Sequence, residues 1–337
     1  MNQEERSELL ASDAAGSPSK DLAEMQQDLL ADLYDDQLLT DCYQKLLDGQ
    51  VAAGLQELLA GLDERRSNSS DLEWQRFVQL CLLHPVRELL HQDPFTLRAY
   101  QRARDDASDA MLLDFVHEAD GLHPLEGTSD LGVRIFENII RMPVCEGFRA
   151  RARLVAKTVD QLALQLSRPS ILTVGAGHLW EATSLTGALK QQRIGRWVAF
   201  DHDSDSLQEV QQRFGAMGVD TVAGSVRQLL EEPSHLGEFD FIYSTGLFDD
   251  LEQPAGKRLT ERMFDMLRPG GQILIANFRP EIEGRGYMES FMHWQLIYRT
   301  HPDLLDLAMA IDQTRVMEIR LLTEDMHHVL FLCITKK

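Results

Sequence analysis

The chain of 337 residues is long enough for one large or two modest domains with a buried core. Acidic residues outnumber basic ones 54 to 33, and the formal net charge of -21 sets up a field that repels nucleic-acid backbones. There is no apolar run of membrane-spanning length and no apolar leader segment, so the expectation is a cytoplasmic protein without a membrane or nucleic-acid partner.

Residues 1–20 mix Ser, Gly, Pro and charges without an apolar period and read as a disordered tail. From Asp21 the period turns helical. Leu22, Met25, Leu29, Leu30 and Leu33 share one face, and a second stripe runs from Leu38 to Leu47. Helices are then expected over Val51 to Leu62, Asp71 to Leu83, Arg87 to His91, and Pro94 toward Ala119. The polar run Asp63 to Ser70 reads as a loop, and Pro85 as a break. After the Gly- and Pro-rich stretch Gly121 to Asp130, two more helices follow, Leu131 to Arg141 and Cys145 to Leu166. The four cysteines (Cys42, Cys81, Cys145, Cys333) are widely spaced and read as free thiols. No strand pattern precedes residue 170. The expectation is an all-helical domain at 21–125, following the tail, and a second domain at 126–337.

In the second domain, strand and helix alternate, which implies a parallel sheet. The apolar run Ile171-Leu172-Thr173-Val174 breaks at Gly175-Ala176-Gly177 and passes into an expected helix start, His178-Leu179-Trp180-Glu181-Ala182. Glycines there let a ligand approach the backbone where a Cβ would collide with it. A second strand, Arg196 to Phe200, ends on Asp201, a carboxylate placed to accept both ribose hydroxyls of a nucleoside cofactor. The dinucleotide fingerprint needs a further glycine where this chain has Trp180, so pyrophosphate is disfavoured and a nicotinamide oxidoreductase with it.

Later elements follow in order: a helix from Leu207 to Met217, a strand to Gly224, a helix from Val226 to Glu231, and a strand from Phe239 to Tyr243. A helix from Lys257 to Leu267, a strand from Gln272 to Asn277 and a long helix from Tyr287 to Met309 come next. An antiparallel pair, Thr314 to Leu321 and His328 to Ile334, closes the chain. Phe291, Trp294 and Tyr298 sit at helical spacing. His327 and His328 alternate faces without partners at metal-ligand spacing, and no metal is expected.

The segment from Ile171 to Asp201, with Gly224-Ser225-Val226, Ser244-Thr245-Gly246 and Leu267-Arg268-Pro269-Gly270-Gly271, resembles the motif series of class I S-adenosylmethionine-dependent methyltransferases. The resemblance implies an α/β fold, a Rossmann-like domain with a mostly parallel seven-stranded sheet behind an N-terminal all-helical domain. It implies S-adenosylmethionine as cofactor, held by Gly175, Ala176, Gly177, Glu181, Asp201, His202, Gly224, Ser225, Val226, Ser244, Thr245 and Gly246. Gly177 to Ala182, Ser244 to Leu251 and Tyr287 to Thr300 are similar to a bacterial small-molecule group that includes the 3-hydroxypalmitic acid methyl ester biosynthesis proteins. His84 to Leu90 and Asp93 to Thr96 agree with it. Where that group tends to show Gly-Tyr-Ala-Gly-Asp, this chain has Asp105-Asp106-Ala107-Ser108-Asp109, a departure in which Asp109 matches and the Gly and Tyr do not.

The implied reaction is methyl transfer to a small metabolite in a biosynthetic or signalling pathway. Tyr100, Asp109, Phe248, Tyr287, Glu289, Trp294, Tyr298 and Arg299 are expected at the substrate, and Asp249, Asp250 and His293 at the chemistry. A carboxylate acceptor would need orienting groups such as Arg285, Arg299, His293 and Tyr298. An amine or guanidine acceptor would need acids, for which Asp249, Asp250, Glu281, Glu283 and Glu289 are available. Asp249 and Asp250 equally suit capping the helix that follows. Thr173, where many relatives carry Asp, keeps open a catalytically idle cofactor-binding module. Association as a homodimer is also left open.

Overall fold

The computed structural model describes residues 36–105, 110–117, 125–184, 188–231 and 236–337. The expected tail at 1–20, the stripe from Leu22 to Leu33, and Asp109 lie outside them. Helix α1 (Gln37–Leu47) is capped by Asp36, whose carboxylate accepts the Leu39 N–H at 3.2 Å. Helix α2 (Val51–Asn68) precedes α3 (Asp71–Leu83), which opens on a capping box: Ser70 Oγ accepts the Glu73 N–H, and Glu73 accepts the Ser70 N–H at 2.9 Å. Then come α4 (Val86–Leu90), α5 (Pro94–Asp105), α6 (Met111–His117), α7 (Asp130–Ile139) and α8 (Pro143–Gln165). The helix expected from Pro94 toward Ala119 is thus divided into α5 and α6.

The sheet begins with β1 (Ser170–Val174) and β2 (Arg196–Asp201), then α9 (Ser204–Phe214), β3 (Val219–Ala223), α10 (Val226–Glu231) and β4 (Phe239–Ser244). It ends with α11 (Gln253–Asp265), β5 (Leu267–Phe278), α12 (Arg285–Phe291), α13 (His301–Asp306), β6 (Val316–Thr323) and β7 (Val329–Lys336). The seven strands lie in the order β3-β2-β1-β4-β5-β7-β6, parallel except for β7, which runs antiparallel to both its neighbours. This is the mostly parallel, seven-stranded Rossmann-like sheet that the motif resemblance implies.

Successive strand residues point to opposite faces, and the two cores divide accordingly. Leu172, Val198, Ile242, Ile273 and Leu332 join Leu259, Met263 and Phe264 of α11 on one side. Ile171, Trp197, Phe241, Leu274 and Phe331 face the other, where they merge with Leu39, Leu58, Cys81 and Phe136 of the helical region. The helical region therefore shares one continuous core with a face of the sheet. Among the described residues no helix is long and apolar enough to cross a membrane.

Three segments depart from expectation. The polar run after Leu62 continues α2 to Asn68, because its polar side chains have partners in and beside α12. Asp63 accepts the N–H groups of Gly284 and Gly286, each at 2.7 Å, and Arg66 Nε donates to Glu289 at 2.9 Å. The long helix expected from Tyr287 to Met309 breaks after Phe291, where His293 takes a left-handed φ of 48° that an α-helix cannot continue through. The backbone beyond it is satisfied elsewhere, Ile297 N–H donating to Asp249 O at 2.7 Å and Arg299 N–H to Phe278 O at 3.0 Å. The helix expected after Gly177 is only a 3₁₀ turn, Trp180–Ser184.

Candidate active site

The chain order reverses between β1 and β4, the place where open α/β sheets bind ligands beyond their carboxyl ends. A cleft opens there with about 770 Å³ of empty space, part of it open solvent. Gly175 and Gly177 after β1, Asp201, His202, Asp203 and Ser206 after β2, and Gly246, Leu247, Asp249 and Asp250 after β4 form its sheet side. Ala110, Leu112, Leu113, Phe148, Trp294 and Leu296 form the opposite wall.

The glycine turn is shaped for a close ligand. Gly175 and Gly177 have φ of 74° and 48°, and a Cβ on Gly175 would stand 3.0 Å from that of Leu247. Asp201 holds the turn in place: Oδ2 accepts the Gly177 N–H at 2.8 Å and Oδ1 the Asp203 N–H at 3.0 Å. Oδ2 keeps a second lone pair that suits a ribose hydroxyl, while Oδ1 also has the His202 imidazole within reach. His202 Nδ1 lies 3.2 Å from Oδ1. These residues fit a nucleoside cofactor.

Trp180, at the missing glycine, has a physical role. Its Nε1 donates to Asp114 Oδ1 of α6 at 2.9 Å, His117 stacks on it at 5.1 Å, and the Arg213 guanidinium lies 4.4 Å from its ring centre. His178 Nδ1 meets the same Asp114 oxygen at 2.7 Å. The turn after the glycines is therefore bolted to the helical region, and among the described residues there no α-helix N-terminus is present to hold phosphate. Burial works against a charge on His178, but the hydrogen bond and charge of Asp114 outweigh it and raise its pKa above the usual 6.5. A raised folded pKa stabilises the protein fully below pH 6.5 and loses that contribution as pH rises through the folded value. Asp114→Ala is expected to lower the unfolding free energy by about 1–3 kcal/mol at pH 6. Urea denaturation across pH 6–9 checks this, the gap to wild type narrowing as pH rises.

Several expected site residues sit away from the cleft. Arg299 is buried, donating to Phe248 O at 2.5 Å, Leu251 O at 2.6 Å, Gln253 Oε1 at 2.9 Å, and Asn277 Oδ1. Glu289 is buried between Arg66 and Arg285, so it ties α12 to α2 instead of meeting a substrate. Tyr287 is fully buried, its hydroxyl 3.0 Å from Thr96 Oγ1, and Phe248 belongs to the core under α11. Tyr298 carries Arg285 over its ring at 4.3 Å, and Tyr100 packs between His91 and His293 at 4.6 and 4.8 Å. His293, beyond the break that ends α12, is not among the lining residues of the cleft. Glu181 is buried, accepts the Tyr243 hydroxyl at 2.5 Å and is not among the lining residues of the cleft. Gly224, Ser225 and Val226 stay outside the lining, although Gly224 N–H donates to Asp201 O at 2.8 Å; Ser225 caps α10 through Gln228. Ala176 donates its N–H to Phe200 O at 3.2 Å. Of the β4 end, Gly246 alone reaches the cleft, with Ser244 buried and Thr245 O accepting from Arg151.

Asp249 lines the cleft but is no simple acid. Its carboxylate is buried against Arg151, at 2.5 and 3.2 Å, and also accepts from Asn277 Nδ2 at 2.8 Å. Burial pushes its pKa above the ordinary range while Arg151 pulls against it. Sequence reasoning missed Arg151, which stands on the apolar face of α8 with its guanidinium 3.8 Å from the Phe278 ring centre. An arginine among Phe148, Ala152 and Val155 was the available signal. It also missed Asp114, Leu112, Leu113 and Phe148, which nothing local marks as functional.

The family model described as a methyltransferase domain matches residues 171–271. Within the chain, residues 171–271 are thus similar to a methyltransferase domain. The motifs that imply S-adenosylmethionine as cofactor begin and end within this matched segment. Over the whole chain, the structure is similar to the crystal structure of a possible exported protein from Bordetella parapertussis. The TM-score is 0.53 at 16% identity, covering 96% of this chain and 99% of that one. The N-methyltransferase NodS from Bradyrhizobium japonicum, in complex with S-adenosylhomocysteine, reaches a TM-score of 0.41 at 14% identity, covering 71% and 98%. Only the first likeness is close enough to bear on the fold. No curated protein matches the chain.

Proposed function

We propose that the chain is an S-adenosylmethionine-dependent methyltransferase acting on a small molecule, with residues 126–337 as catalytic domain and 21–125 as the substrate cover. The observation that carries this reading is Asp201, whose carboxylate lines the cleft beside a glycine turn that brings the backbone close to a ligand. The cofactor supplies a methyl group on a sulfonium, activated without help from the protein. The chain's part is alignment: Asp201 orients the ribose, Gly175 and Gly177 allow backbone approach, and Gly246 leaves room along the β4 end. The wall of Phe148, Trp294 and leucines excludes water and holds the acceptor in line, where positioning supplies much of the acceleration.

Incubation with S-adenosylmethionine and a metabolite panel, with S-adenosylhomocysteine and methylated products read by mass spectrometry, tests the reading. Acceptor-dependent formation of both is the expected result. Cofactor binding without conversion of any acceptor would favour an idle binding module.

A further inference from the structure

We propose that Asp114 is a positioning residue that couples the two sides of the cleft, so that cofactor on the glycine turn steadies the wall that receives the acceptor; the inference rests on the function proposed above. α6 has only seven residues, too short to be stable in isolation, so its place is set by tertiary contact. Its faces divide that contact. Phe115 packs on Phe95 and Phe136, with ring centres 5.8 and 6.1 Å apart, and Arg149 Nη1 donates to Val116 O at 3.0 Å. Leu112 and Leu113 line the cleft opposite the sheet. Asp114 and His117, three residues apart and so on one face, meet the turn that follows the glycines.

That turn is gripped from both sides. On the sheet side, Asp201 Oδ2 accepts the Gly177 N–H at 2.8 Å. On the helical side a single oxygen, Asp114 Oδ1, accepts from His178 Nδ1 at 2.7 Å and from Trp180 Nε1 at 2.9 Å. Leu179, between those two donors, stands at a left-handed φ of 53°, which a leucine keeps only where its neighbours fix it. The approach is also close: a Cβ on Gly177 would stand 3.5 Å from that of Ala110, the residue before α6. Only the segment from Gly177 to Trp180 separates the acid on β2 from the acid on α6.

A ligand that orders Gly175 to Gly177 restrains His178 and Trp180, and the Asp114 carboxylate passes that restraint to Leu112 and Leu113 beside it. The acceptor then meets a wall that no longer has to be ordered at its own cost. By reciprocity, an acceptor on that wall tightens the cofactor by the same factor.

Hydrogen exchange over α6, read by mass spectrometry with and without saturating S-adenosylhomocysteine, tests this. In wild type the ligand is expected to slow exchange in α6 about fivefold or more. In Asp114→Ala that slowing should vanish at α6 while persisting at the glycine turn. Asp114→Asn keeps an oxygen for both donors and should restore most of it. Trp180→Phe removes one donor but keeps a ring against His117, and should fall between. A merely structural Asp114 would instead leave the ratio of rates with and without ligand unchanged in Asp114→Ala, however much faster both became. That result, or no slowing at α6 in wild type, overturns the inference. Calorimetric titration of wild type with S-adenosylhomocysteine comes first and keeps the two readings apart: without binding the methyltransferase reading itself falls, whereas binding without slowing at α6 removes the coupling alone.

Discussion

Arg151→Met is expected to lower the unfolding free energy by about 3–5 kcal/mol, one of the two largest effects the structure implies. Arg151 and Asp249 are each only 2% exposed, and their carboxylate–guanidinium pair sits where α8 crosses the β4 end. Removing the cation leaves a buried carboxylate without its direct counter-ion: Asn277 Nδ2 and the Phe278 N–H, at 2.8 and 3.4 Å, are dipoles, and the charge of Arg299 acts on it only from beyond hydrogen-bond distance. The Thr245 carbonyl and the Phe278 ring face lose their partner as well. Asp249→Leu should cost a comparable amount for the mirror reason. The double variant, Arg151→Met with Asp249→Leu, is expected to lose at least about 1 kcal/mol less than the sum of the singles, since neither orphan charge remains. Urea denaturation of the three variants measures this. Additive losses would mean that the pair is not coupled.

Asp201→Ala is expected to weaken S-adenosylhomocysteine binding at least tenfold, about 1.4 kcal/mol or more. Two effects combine. The ribose hydroxyls lose a charged acceptor, and the Gly177 and Asp203 N–H groups lose the oxygens that fix the turn, at 2.8 and 3.0 Å. Asp201→Asn separates the two. It keeps one oxygen for the turn and loses the charge, so its affinity should fall between wild type and alanine. Calorimetric titration reads the order directly, and equal affinities for all three proteins would remove Asp201 from the site.

The strands and the glycine turn were legible because a buried parallel strand is a short apolar run, and because Gly175, Gly177 and Asp201 each answer a local steric or charge requirement. What escaped depends on partners distant in the chain. The polarity of Asp63 and Arg66 suggested a loop, but their partners lie more than two hundred residues on, at Gly284, Gly286 and Glu289. Trp294 and Tyr298 kept helical spacing with Phe291, yet the left-handed backbone of His293 breaks that period, and only Trp294 of the three reaches the cleft. Arg299 and Glu289 look like substrate ligands in sequence because they are charged. In the fold that charge is spent on carbonyls and arginines inside the protein, which periodicity cannot reveal. The acceptor wall from α6 and α8 likewise exists only once the helical region has folded over the sheet.

One measurement tests the central claim most directly: calorimetric titration of the wild-type protein with S-adenosylhomocysteine, with NAD⁺ as the comparison ligand. The cleft as described should bind S-adenosylhomocysteine with micromolar affinity, near -8 kcal/mol, and show no binding of NAD⁺, because the turn after β1 offers neither a third glycine nor an α-helix N-terminus for pyrophosphate. Absence of S-adenosylhomocysteine binding, or preference for NAD⁺, would contradict the account at its base.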